Sequence, residues 1–155
     1  MIQRIQSIYL LLAGLAIFAL FIFPLAHNVY VGNAPLDITI SGTYQHLGGQ
    51  AAIKDHFVAL SAATAVIGIL PIIIIFLFRN RKQQVALCYS VILVIIGYSF
   101  WMAQTAKEVT GGVTLTPSNF GIGLFICPLS ILLIILAVRN IHKDEKLIKS
   151  ADRLR

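Results

Sequence analysis

The chain has 155 residues, 58% of them apolar and 12% charged, with a formal net charge of +6. Ordinary soluble domains carry about 45–50% apolar and about 25% charged residues, and the excess here falls in blocks, which excludes a conventional soluble domain and marks an integral membrane protein. No second domain's worth of polar chain remains, and the two cysteines, Cys88 and Cys127, sit in apolar runs with no CxxC, which argues against a disulfide framework.

The first apolar run covers about residues 5–25, preceded by Arg4 and ended near Pro24. About 20 apolar residues in a helix cross the hydrocarbon core of a bilayer, so this run predicts a membrane span. A charged start before an apolar stretch also describes a signal peptide. Against cleavage, the run is long for such a segment, and Pro24-Leu25-Ala26 places a proline where a small residue is wanted.

The segment from 26 to 56 is the first outer loop. Asn28-Val29-Tyr30-Val31 alternates, Gly32-Asn33-Ala34-Pro35 is turn chemistry, and Leu36-Asp37-Ile38-Thr39-Ile40-Ser41 alternates again. The second apolar run, about 57–78, holds Ser61, Ala65, Thr64 and Gly68, paired four apart on one face, where small side chains allow close helix contact. Pro71 lies within it. Its simplest role is in packing, with a kink where its missing N–H removes a backbone hydrogen bond.

Arg79, Arg81 and Lys82 follow in the central basic stretch, 79–84. The third run, about 85–102, carries Tyr98 and Trp101 at its far end, where aromatic rings favour the headgroup level. In the second outer loop, 103–119, Val113-Thr114-Leu115-Thr116 repeats the strand pattern between Gly111-Gly112 and Pro117. A hairpin from the first loop and one strand from the second would then make a small sheet capping the helices. The fourth run is about 120–138 and contains Pro128.

Lysine and arginine sort by loop, ten on one face and only Lys54 and Lys107 on the other. By the positive-inside rule both termini and the central hairpin are cytoplasmic, with Arg79, Arg81 and Lys82 as the topological pin. The net charge is thus a matter of topology and not a nucleic-acid signal. The tail, 139–155, has helical spacing, with Ile141, Leu147/Ile148, Ala151 and Leu154 forming an apolar stripe flanked by basic residues. It reads as a cytoplasmic amphipathic helix that continues from the fourth span and lies on an anionic leaflet, or as a docking surface for a partner. Lys143, Lys146, Lys149, Arg153 and Arg155 would make the lipid or partner contacts.

No span contains an ionisable side chain, so the embedded carboxylates of a proton-coupled exporter or pump are missing. His27 ends the first span and His56 begins the second, which would let them approach at the outer interface. Solvated imidazoles are the simpler reading. No catalytic, cofactor or metal residue is expected, and Gly48-Gly49 and Gly111-Gly112 lack the context of a phosphate loop.

The expected fold is a four-transmembrane-helix bundle, 1–155 as one domain, with a periplasmic β-sheet cap in a claudin-like layout. The tryptophan and paired cysteines of a claudin outer loop are absent from 26–56, so claudin function does not follow. The opening Met1-Ile2-Gln3-Arg4-Ile5-Gln6-Ser7-Ile8-Tyr9-Leu10-Leu11-Leu12 and the closing Lys143-Asp144-Glu145-Lys146-Leu147-Ile148-Lys149-Ser150-Ala151-Asp152-Arg153-Leu154-Arg155 resemble a Bacteroidota family known as domain of unknown function 4293. The resemblance implies a four-helix protein of a Gram-negative inner membrane, and it supplies neither activity nor site residues.

Two functions fit. One is a non-enzymatic accessory or scaffold subunit that meets a protein partner, in the inner membrane or at its cytoplasmic face, through the cap and the tail. The other is a binder or transporter of an apolar small molecule or lipid between the helices. Nucleic acid or ribosome contact by the basic tail is the weaker alternative.

Overall fold

The computed structural model describes residues 3–31, 34–47, 50–77, 80–111 and 119–152. It is mostly helical. The order is α1 (Gln3–Ala19), β1 (Ala26–Val31), β2 (Ala34–Ile38), β3 (Gly42–Leu47), β4 (Gln50–His56), α2 (Val58–Phe76), α3 (Arg81–Thr110) and α4 (Gly123–Asp152). Each helix packs on two others, α1 against α2 and α4, and α3 against the same pair.

Three of the helices, α2, α3 and α4, are long and apolar enough to cross a membrane. The apolar part of α1, Ile5–Ala19, is shorter. The run 5–25 is therefore helical only to Ala19. Pro24 lacks an N–H and disfavours a helical Phe23, so the chain tightens through Leu20→Ile17, Phe21→Phe18 and Ile22→Ala19 N–H···O bonds of 3.0–3.1 Å, then turns extended.

The buried faces follow from spacing. In α3 the inward residues are Gln84, Cys88, Val91, Ile95, Tyr98 and Met102, alternating four and three apart, the seam that antiparallel helices bury at shallow crossing angles. In α1 they are Gln6, Leu10, Ala13 and Ile17, and Leu20 continues the buried face just past its end. Three polar contacts tie the helices across this core. Thr64 and Tyr98 share a hydroxyl hydrogen bond of 2.5 Å between α2 and α3. Ser130 on α4 donates to the Ala13 carbonyl of α1 at 2.6 Å, and the Gln84 amide donates to the Ile74 carbonyl of α2 at 3.3 Å. Tyr98 is thus an internal tie and not a headgroup marker. α3 continues to Thr110, and only Trp101 of the two aromatics faces outward.

The sheet is antiparallel in the order β1-β2-β3-β4. The alternation read in the first loop holds for one face. Val29, Leu36, Ile38 and Ile40 are buried and belong to or adjoin the helical core, whereas Tyr30 is exposed. A bulge in β1 puts Asn28 at φ 48°, a left-handed conformation that asparagine tolerates, and its N–H donates to Asp37 Oδ1 at 2.9 Å.

All four described strands come from the first outer segment, which corrects the expected two-stranded hairpin to a four-stranded meander. β3 and β4 were not legible because Gln45, His46, Gln50 and Lys54 interrupt any apolar alternation. The strand expected at 113–116 lies outside the described residues. Its flank does reach the sheet: Ala26 and Phe120 form an antiparallel bridge, and Gly121 N–H donates to the Leu25 carbonyl at 2.8 Å.

Candidate functional site

Among the described residues the charged side chains lie at the two ends of the helices, with an apolar groove between. At the sheet end, Asn119 donates its side-chain amide to the carbonyls of His27 (3.1 Å) and Asn28 (2.8 Å), tying the second outer segment to the edge strand β1. Gly121 is required there. A Cβ on it would collide with the Pro24 carbonyl, so the two backbones meet only because the side chain is absent.

His27 and His56 are not brought together. His27 is in β1 and His56 ends β4, the opposite edges of the sheet, three strand spacings or about 14 Å apart. His27 instead lies 3.8 Å from Asp37 across the β1–β2 pair. His56 lines a separate hollow of about 510 Å³ with Thr43, Asp55 and Glu108, where the end of α3 meets β4. Among the described residues no group of three or more His, Cys, Asp and Glu side chains is placed to hold a metal ion. A double-mutant cycle on His27→Ala and His56→Ala is expected to show coupling below about 0.5 kcal/mol, since the sites share no partner. A larger coupling in unfolding measurements would contradict the sheet order.

At the other end, the N-terminus of α3 meets α4. Asn80, Arg81, Lys82 and Gln83 line a depression of about 470 Å³ closed on its far side by Glu145. The basic stretch and the tail therefore form one surface. Arg81 is half-buried and Lys82 is exposed there, while Lys143 and Lys146, about 200° and 100° around α4 from Glu145, are exposed at the same end of the molecule. Arg79, Arg153 and Arg155 lie outside the described residues, and so does the side chain of Lys149.

The tail continues the fourth helix, as its spacing predicts. α4 runs unbroken to Asp152, so 14 of its residues, about 21 Å, follow Val138. This splits the predicted apolar stripe. Ile141 is 1% exposed and packed inward, whereas Leu147 is 50% exposed. Asp144 shares the inward face with Ile141. Its Oδ1 and the Oε1 of Gln84 are buried acceptors with no hydrogen-bond partner among the described residues.

Between the ends, α3 and α4 leave a lateral apolar groove of about 620 Å³ on the sheet side of the molecule. Leu25 closes its top, and Ser99, Ala103 and Ala106 keep the α3 wall low. Sequence reasoning missed it. The available signal was the spacing of those three small residues, four and three apart on one helix face.

The model of a family described as Domain of unknown function (DUF4293) matches residues 2–154, and the chain belongs to that family. No curated protein matches it.

Proposed function

We propose that this member of the DUF4293 family is a four-span scaffold subunit of a bacterial inner membrane, without catalytic activity, that holds partner proteins at its two polar ends. One observation carries the membrane placement. Large apolar side chains face outward along every helix, among them Leu15 (52%), Val66 (59%), Leu93 (70%), Phe125 (68%) and Leu132 (58%). A soluble monomer rarely exposes contiguous apolar surface on that scale.

In this reading α1 completes the crossing with its terminal turn, since its 17 residues cover about 26 Å of a core near 30 Å. The sorting of lysine and arginine supports a cytoplasmic Arg81–Glu145 end and a sheet in the periplasm of a Bacteroidota cell. The scaffold role is supported by the concentration of built polar structure at the ends. The sheet is fixed to both outer segments, and α4 carries Lys143 and Lys146 beyond the membrane on a rigid helix. Such a projecting basic surface suits an acidic protein partner at the cytoplasmic face, with anionic lipid as its neighbour at the rim.

Purification of the full chain at native expression in mild detergent, followed by mass spectrometry, tests the role. A stoichiometric membrane partner is expected, and it should be lost when Lys143, Lys146, Lys149, Arg153 and Arg155 are all changed to glutamine. A partner-free monomer would overturn the reading. Orientation is checked with Asn80→Cys in a Cys88→Ala, Cys127→Ala background. An impermeant thiol reagent should label it from the cytoplasmic side alone.

A further inference from the structure

We infer that the groove between α3 and α4 is a binding site for one anionic phospholipid of the periplasmic leaflet, with an acyl chain in the groove and the headgroup phosphate at Lys107. The inference rests on the membrane placement proposed above, and it is independent of the scaffold role.

The groove has the dimensions and direction of an acyl chain. It follows α3 from Ser99 to Ala106 and α4 from Leu124 to Leu132, about 10–12 Å of each axis, against roughly 15 Å for half a bilayer core. Its walls are apolar, with Phe100, Leu124 and Leu132 exposed along its rim. It opens sideways, towards lipid, and Leu25 closes it beneath the sheet.

Charge marks the headgroup end. Lys107 stands one turn beyond Ala103 and two turns beyond Phe100, so all three share the groove face of α3. It is exposed, and it is one of only two basic residues on the outer side of the chain. Glu108, about 100° further around the helix, lines the separate hollow beside Asp55 and His56, away from the groove mouth. The phosphate of a lipid seated in the groove would reach Lys107 without meeting that carboxylate.

The test moves the single tryptophan to the groove rim, by Trp101→Phe with Phe100→Trp, in the full chain. The protein is reconstituted in phosphatidylcholine vesicles in which one lipid in ten carries brominated acyl chains. The brominated lipid is either phosphatidylglycerol or phosphatidylcholine. Brominated phosphatidylglycerol is expected to occupy the site about five-fold more readily than brominated phosphatidylcholine, the preference one lysine near the surface supplies. Lys107→Gln should remove that preference, and Ala103→Phe should fill the groove and reduce quenching by both lipids to the bulk level.

Equal quenching by the two lipids would overturn the headgroup assignment. Unchanged quenching in Ala103→Phe would overturn the groove as the site. Inter-chain cross-links through a cysteine at Phe100, with the rim shielded from both brominated lipids, would assign the groove to a second copy of the chain instead. A chain that fails to enter vesicles at all would overturn the membrane placement and this site with it, a result distinct from the other three.

Discussion

Gly14→Leu is expected to destabilise the protein by about 2–3 kcal/mol, whereas Gly97→Ala is expected to stabilise it by about 0.5–1 kcal/mol. Both glycines lie inside helices, so propensity alone gives them the same sign. Their surroundings separate them. A Cβ at Gly14 would stand 2.8 Å from the Gly68 carbonyl oxygen and 3.0 Å from Ile72 Cγ1. α1 and α2 approach backbone to backbone at this point, and on the facing helix a Cβ at Gly68 would meet the Phe18 ring at 3.1 Å. Where lipid surrounds the helices, apolar burial gives little drive for association, and close packing of small residues carries the contact. A leucine must therefore push the pair apart over its whole length. Around Gly97 there is nothing within 4 Å, so alanine there gains helix propensity at no steric cost. Equilibrium unfolding in mixed detergent micelles measures both. Equal shifts for the two variants would show that the α1–α2 contact is looser than described.

Why some of this was legible in the sequence follows from the length of each signal. The cores of α2, α3 and α4 follow from apolar runs, because a helix that must satisfy its own backbone bonds needs only continuous apolar residues. Helix ends carry weaker signals. α1 stops six residues before the apolar run does, because Pro24 acts on the backbone while Phe21, Ile22 and Phe23 keep the composition apolar. α3 overruns its apolar stretch by eight residues in the other direction, since Ala103-Gln104-Thr105-Ala106-Lys107-Glu108 are adequate helix formers once the helix has started. In the cap, Leu36 and Ile38 announced their strand by alternation, and β3 and β4 are strands by pairing with neighbours rather than by pattern.

The candidate sites divide along the same line. Charge placed Arg81, Lys82, Lys143 and Lys146 at one end from the sequence, since charge needs no neighbours to be counted. What the sequence did not carry is that Glu145 of the continuing helix closes the depression beside Arg81. The histidine pair failed for a topological reason. Residues that flank the first outer segment are near in a simple loop and far apart once that segment folds into a four-stranded meander. The groove is a space between helices, and a single sequence encodes it only as small residues whose partner helix is unknown.

Val66→Asp should be the most damaging single change on the outer surface, reducing insertion of α2 by about 2.5–3.5 kcal/mol. Val66 is 59% exposed and sits eight residues from the start of the 19-residue α2 and ten from its end, about 12 Å and 15 Å along the axis. The helix has no spare length through which to slide the charge to an interface. Aspartate is also too short to reach water from the core, as a lysine does along its apolar stem. In a soluble protein the same exposed position would accept a carboxylate with a change of about 0.5 kcal/mol or less. The substitution therefore separates the two environments by more than 2 kcal/mol, or over twenty-fold in the inserted fraction. Alkaline extraction of membranes, followed by protease accessibility of the 79–84 stretch and the tail, reads that fraction for the full chain. Full retention of Val66→Asp in the membrane with native accessibility would mean that this face of α2 does not look into hydrocarbon. The exposed apolar surface would then have to be covered by another protein.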